Sequence, residues 1–147
     1  MFLTLTAICV VVPCLLIVIW MKRTRDRHQM ELHSITPEAL YALLASKQEV
    51  LLFDVRQPLD LLTDSEIIRG ATRIAPKELL ENPSLIPKDK DSVVYCTCPS
   101  DKTSRVISRR AQAMHFLRVK FLKGGLAGWK ANGYPVEPYE KPFRLDP

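Results

Sequence analysis

The sequence predicts a three-layer α/β domain, a parallel sheet flanked by helices, preceded by one transmembrane helix. Three observations point there. Residues 1–20 carry no charge, and Lys22, Arg23, Arg25 and Arg27 follow at once. Val50-Leu51-Leu52-Phe53-Asp54-Val55 and Ser92-Val93-Val94-Tyr95 lack polar alternation, as strands covered on both faces of a parallel sheet do. Between 103 and 117, Val106, Ile107, Ala111, Met114 and Leu117 recur at helical spacing. A strand, helix and strand in that order form a parallel crossover unit.

The segment 1–21 is long enough to span a bilayer. About 20 apolar residues rising ~1.5 Å each cross a hydrocarbon core of about 30 Å. Trp20 stands at one end as an interfacial anchor, and Pro13 is expected to kink the helix without abolishing it. A cleaved signal peptide needs a basic n-region, a shorter apolar core and a small-residue cleavage site. Here Trp20-Met21-Lys22-Arg23 stands where small residues belong. A buried core helix fits poorly, because the remaining chain is too small to enclose a helix apolar all round. Basic residues favour the cytoplasmic side. The expected protein is therefore single-pass, with its bulk in the cytoplasm.

Behind the anchor come a basic juxtamembrane neck at 22–33, one domain at 34–137 and a tail at 138–147. The formal charge of +5 suggests nucleic acid at first sight. Much of the excess lies in the neck, however, where topology and anionic lipid account for it. Lys102, Arg105, Arg109 and Arg110 form a second group without interleaved aromatics, so no nucleic-acid partner is expected. Of four cysteines, Cys9 and Cys14 lie in the apolar span and read as small hydrophobes. Cys96 and Cys98 are too few for a disulfide framework. No repeat or low-complexity tract is present. Four prolines between Pro135 and Pro147 mark an irregular strap or a disordered end.

The elements follow in order. Thr36 is a good N-cap, Pro37 suits the first helical position and Glu38 faces the positive end of the dipole. Leu40, Leu43 and Leu44 share a face, so 37–46 is a short amphipathic helix. A strand over 50–55 follows. A weaker strand is expected at 72–75 and a helix at 76–80. The strand at 92–95, the helix at 103–117 and a strand at 119–122 make the crossover unit. Gly124-Gly125 close it, a helix covers 126–132, and Gly133 stops that helix.

In open parallel sheets, ligands bind beyond the carboxyl ends of the strands. Here that place is held by Cys96-Thr97-Cys98-Pro99-Ser100-Asp101-Lys102-Thr103-Ser104. A thiol there faces unbonded N–H groups at a helix start, which lower its pKa and hold an anion. Lys102 and Arg105 add positive charge, and Asp101 opposes it. A nucleophilic cysteine acting on anionic substrates is one reading; two ordinary cysteines at a strand end are equally compatible with position alone.

Five landmarks go further: Asp54-Val55-Arg56, Ile68-Arg69-Gly70-Ala71, Val93-Val94-Tyr95-Cys96, Leu122-Lys123-Gly124-Gly125-Leu126-Ala127-Gly128-Trp129 and Gly133-Tyr134-Pro135. In order and spacing the chain resembles the rhodanese domain over about 34–137, with Gly-Gly-x-x-x-Trp the most specific piece. The resemblance implies a sulfurtransferase fold in which a loop cysteine carries a persulfide. It implies a small anionic sulfur donor and a thiol or cyanide acceptor, with no cofactor and no metal. The chain departs from the family where Ile67 replaces a histidine, and where the active loop lacks both glycine and arginine.

Counted from Cys98, the loop reaches Thr103 at the Cys-x4-Thr spacing of some thiosulfate-using members, and the family's glycine position falls on Asp101, which tolerates a left-handed backbone. Counted from Cys96, that position is Pro99, whose fixed φ forbids it. Against Cys98, Pro99 adds no N–H, and Cys96 is the residue that follows the strand. Cys98 is the preferred nucleophile and Cys96 the second. Ser100, Asp101, Lys102, Thr103, Ser104 and Arg105 are the expected substrate-binding set. Asp54 and Arg56 are supporting residues that orient the loop or simply hold the fold, while Arg109 and Arg110 read as solvated helix face.

Three rivals remain. A Cys-dependent phosphatase would use Cys96-x5-Lys102, but lysine lacks the fork that suits a phosphoryl dianion. A catalytically silent binding module at the membrane fits the loop's departures. A metal or redox pair at Cys96 and Cys98 would need further ligands, and His28, His33 and His115 are not at ligand spacing.

Overall fold

The carboxyl ends of the strands are brought together by an all-parallel sheet. A computed structural model describes residues 2–97 and 102–140, with side chains for all of these but 2–10, 29, 30 and 102. The chain divides into two units, at Leu32 and His33. The first is a single helix, α1 (Phe2–Leu32), which continues through Pro13 and through the basic neck. Among the described residues no helix is long and apolar enough to cross a membrane. Half of the expected span, residues 1–10, lies outside the described side chains.

The second unit runs β1 (Ser34–Ile35), α2 (Pro37–Ala45), β2 (Val50–Asp54), α3 (Pro58–Thr63), β3 (Glu66–Ile68), β4 (Thr72–Arg73), α4 (Pro76–Glu81), β5 (Asp91–Tyr95), α5 (Lys102–Ala113), β6 (Val119–Leu122), α6 (Gly125–Ala131) and β7 (Val136–Pro138). Five strands form one sheet in the order β1-β6-β5-β2-β4, all parallel. Register places Asp54 opposite Tyr95 on one side and opposite Arg73 on the other. These three residues form one row across the carboxyl end of the sheet.

Alternation along the strands builds the layers. On one face, Leu52, Val93, Tyr95 and Leu122 pack with Leu40 of α2 and with Leu126 and Trp129 of α6. On the other, Phe121 lies beneath Arg105 of α5, whose Cζ is 5.4 Å from the ring centroid. Burying each large apolar side chain stabilises the fold by roughly 1.5–3 kcal/mol, and Trp129 also satisfies its indole N–H by donating to the Pro135 carbonyl at 3.0 Å. The expected cap is in place: Thr36 Oγ1 accepts from the Ala39 N–H at 3.3 Å, with Pro37 opening α2.

Three features differ from expectation. The helix expected over 103–117 ends at Ala113. His115 adopts φ 63°, and the Phe116 N–H returns to the Ala111 carbonyl at 2.9 Å. That reversal buries Phe116 and leaves Met114 and Leu117 exposed, so the apolar period there served the turn into β6 and not one helix face. The proline-rich end is not irregular throughout: β7 pairs antiparallel with β3, Ile68 opposite Val136. The short β1 and the helix α3 were also unforeseen.

Gly124 is the residue that lets β6 turn into α6. It caps the helix at φ 72°, and a Cβ there would lie 3.3 Å from Gly128 Cα. Gly133 shares φ 72° but has nothing within 4 Å of its Cβ position. A left-handed non-glycine residue costs about 1–2 kcal/mol. Urea unfolding of the two alanine variants should therefore show that loss for Gly133→Ala and a larger one for Gly124→Ala; equal losses would mean the close approach at Gly124 is relaxed at no cost.

Candidate active site

The residues around the carboxyl end of the sheet fall into two groups, one saturated with hydrogen bonds and one not. Asp54 ends β2, and Arg56 follows two residues later. Both are 0 % exposed. Arg56 Nε donates to Asp54 Oδ1 at 3.0 Å and to Oδ2 at 2.9 Å, and Nη2 donates to Oδ2 at 2.6 Å. Nη1 donates to the Asp64 carbonyl and Nη2 to the Glu66 carbonyl, each at 2.7 Å. The Arg56 backbone N–H completes the set on Asp54 Oδ1.

One guanidinium thus joins the end of β2 to the end of α3 and the start of β3. Burial opposes its charge, but the Asp54 hydrogen bonds and negative charge outweigh burial and hold its pKa above the ordinary value. The Tyr95 hydroxyl accepts from the Ile68 N–H at 3.1 Å. Burial first, then the charge of Asp54, pushes this phenol well above its usual range, so it stays protonated. Four of the five guanidinium N–H groups and both carboxylate oxygens are engaged within the fold. Their part is to hold the surroundings of the loop in place.

The second group is the opposite. Among the described residues, five buried side-chain atoms lack a hydrogen-bond partner: Arg73 Nε and Nη2, Thr97 Oγ1, Ser104 Oγ and Arg105 Nε. Every one of them can donate. Thr97 leaves β5, and Ser104 and Arg105 belong to the first turn of α5, whose leading N–H groups have no partner within the helix. Ser104 is 0 % exposed. Orphaned buried donors are rare and costly, and three of these four residues flank the cysteine loop.

The loop itself lies partly beyond view. Cys98, Pro99, Ser100 and Asp101 are outside the described residues, as is the side chain of Lys102, which opens α5. Cys96 is described. It follows β5, is 3 % exposed, and its carbonyl accepts from the Leu126 N–H at 2.8 Å. Thr103 is half-buried beside the wholly buried Ser104. Arg109 and Arg110 are exposed on α5. The expected set thus divides into Thr103, Ser104 and Arg105 at the helix start and the Asp54–Arg56 pair beneath the neighbouring strand end. Sequence reasoning missed Thr97 and Arg73. The available signal for Arg73 was a long cation on a weak strand just after Gly70-Ala71.

Comparison with known proteins agrees with this fold. The family model described as Rhodanese-like domain matches residues 36–132. A sulfurtransferase of Allochromatium vinosum is 32 % identical over 110 residues, covering 71 % of this chain and 94 % of that protein. A rhodanese-related protein of Thermoplasma volcanium superposes with TM-score 0.60 at 26 % identity, covering 71 % of this chain and 97 % of its own. A Rhodopseudomonas palustris protein of unknown function, described as a possible tyrosine phosphatase, superposes with TM-score 0.63 at 25 % identity, covering 76 % and 89 %.

The saturated pair makes a sharp prediction. Asp54→Asn leaves a buried guanidinium without its counter-charge and should cost about 3–5 kcal/mol. Arg56→Lys should also destabilise, because a lysine ammonium does not reproduce the planar fork that serves Asp54 and two carbonyls together. Replacing both residues by Leu and Met should recover part of the loss. Thermal and urea unfolding of the full chain check this; a single variant as stable as the parent would show that the pair holds nothing.

Proposed function

Because this chain belongs to the rhodanese-like domain family, we propose that it is a membrane-anchored sulfurtransferase moving sulfane sulfur through a cysteine persulfide. The observation that carries the proposal is the set of unpartnered donors at Thr97, Ser104 and Arg105 on both flanks of a cysteine loop. Donors without partners at a helix start are what an anionic substrate satisfies. The relative of known class, 32 % identical, is a sulfurtransferase.

In the proposed cycle the loop thiolate attacks the outer sulfur of a donor such as thiosulfate. A new S–S bond forms, the donor's S–S bond breaks, and sulfite leaves with the electron pair. An acceptor thiolate or cyanide then removes the terminal sulfur and regenerates the cysteine. Cys98 is the preferred nucleophile. The 3 % exposure of Cys96 supports that choice, since a reactive cysteine must meet its substrate. Lys102 and Arg105 supply charge, Ser100, Thr103 and Ser104 supply hydroxyl donors, and Asp101 belongs to the same substrate-binding set.

The membrane part of the proposal rests on the sequence. Twenty uncharged residues precede a basic cluster, and α1 is helical across both. Positive charge on the carboxyl side supports a cytoplasmic domain. A second reading, phosphoryl transfer, is favoured by the likeness to the possible tyrosine phosphatase. It asks Lys102 to do the work of a bidentate cation.

Three measurements separate these readings. Intact mass of the purified chain after thiosulfate treatment should rise by about one sulfur atom, and the gain should vanish in Cys98→Ser but survive in Cys96→Ser. Loss in Cys96→Ser alone would move the nucleophile to Cys96; no gain, with both thiols alkylatable, would favour a silent binding module. Turnover of an aryl phosphate, absent in the proposal, would favour the phosphatase. Extraction of expressing membranes at alkaline pH should leave the full chain in the pellet; release to the supernatant would remove the anchor.

A further inference from the structure

Arg73 is the cation that neither the family landmarks nor the loop explains. It closes the edge strand β4, half-buried, in the same row as Asp54 and Tyr95 at the carboxyl end of the sheet. Two strand spacings separate it from β5, about 10 Å, and Thr97 lies two residues past Tyr95. Its Nε and Nη2 are buried and have no hydrogen-bond partner.

A guanidinium is not neutralised by deprotonation, so a buried one needs an acceptor. The fold withholds its own. Asp54, the carboxylate paired with Arg73 in register, receives four hydrogen bonds from Arg56. Arg73 enters none of the ion pairs among the described residues. The other unpartnered atoms are the hydroxyl oxygens of Thr97 and Ser104 and the Arg105 Nε, none of which carries negative charge.

We infer that Arg73 is a specificity-determining residue that binds the oxyanion end of the sulfur donor, favouring donors of the thiosulfate type over persulfides that lack sulfur-bound oxygens. The inference rests on the sulfurtransferase reading and adds a residue and a substrate preference to it. A guanidinium fork matches two oxygens of a tetrahedral dianion. Arg73 sits on a strand whose end is fixed by the sheet: the Ile74 N–H donates to the Asp54 carbonyl at 3.0 Å. A cation there is positioned by the scaffold, independent of the loop. As the donor's S–S bond breaks and sulfite leaves with the electron pair, Arg73 holds the sulfite oxygens while the outer sulfur stays on cysteine.

The test compares the full chain with Arg73→Met and Arg73→Lys. Hydrogen bonds to charged groups contribute enough that Arg73→Met should raise KM for thiosulfate about tenfold or more, while KM for an alkyl persulfide changes less than threefold. Arg73→Lys should restore only part of the loss. Sulfate, a non-reacting dianion, should raise the melting temperature of the parent more than that of Arg73→Met, and without sulfate the variant should be at least as stable as the parent. A structural role predicts the reverse: a less stable variant, with both donors affected alike. Unchanged thiosulfate KM, or an unchanged sulfate response, overturns the inference while leaving the sulfurtransferase reading intact. If the parent uses no sulfur donor, that reading fails, and the sulfate response alone still decides whether Arg73 binds an oxyanion.

Discussion

The Asp54–Arg56 pair is the constraint on which the rest of this domain depends. A strand end, a short helix and the start of an antiparallel pair meet there, and one guanidinium supplies hydrogen bonds to all three. Two charges taken wholly out of water are expensive, and that cost is offset only when every donor and acceptor is used. Here the carboxylate is saturated and the guanidinium reaches two further carbonyls. The arrangement tolerates little change, so the segment from α3 to β3 has a single way to leave the sheet. Beside it, the Tyr95 hydroxyl accepts from the Ile68 N–H and joins the same corner to β5.

That saturation has a consequence for the site. Both Asp54 oxygens accept from Arg56, and among the described residues Asp54 forms an ion pair with no other cation. Arg73 and Arg105 keep buried nitrogens unpartnered, and Thr97 and Ser104 keep buried hydroxyls unpartnered. A domain stabilised for its own sake would pair these groups or expose them. Two guanidinium groups and two hydroxyls with unpartnered atoms, where strands end and a helix begins, are what the proposed anion site rests on. Structure and electrostatics thus separate: one ion pair fixes the frame, and the unpartnered donors take no part in it.

The burial of Cys96 fits the same division. A residue directly after a central parallel strand lies in the plane of the sheet and is covered by the layers above and below. Its carbonyl is held by the Leu126 N–H, which ties the strand end to α6 and to the glycine turn that precedes it. The first cysteine is thereby part of the frame.

Much of this was legible in the residues themselves. The runs of β2, β5 and β6 are apolar because both faces are covered, and the caps at Thr36, Gly124 and Gly133 stand where local backbone chemistry demands them. Local pattern also identified the loop after β5 and the polar start of α5. What it did not reveal depends on partners distant in sequence. Strands of two or three residues, such as β1, β3 and β7, are too short to show a period, and they exist because a neighbour's edge is available. The helix α5 stops at Ala113 because Phe116 is drawn into the core, a competition invisible along the helix face. Whether a cation is spare cannot be seen in a sequence either. Arg56 and Arg73 are the same residue type near the same strand ends, and only the tertiary hydrogen-bond network satisfies one and leaves the other open. Sequence by itself determined the layers and the loop; the assembled sheet decided which charges are used up and which remain.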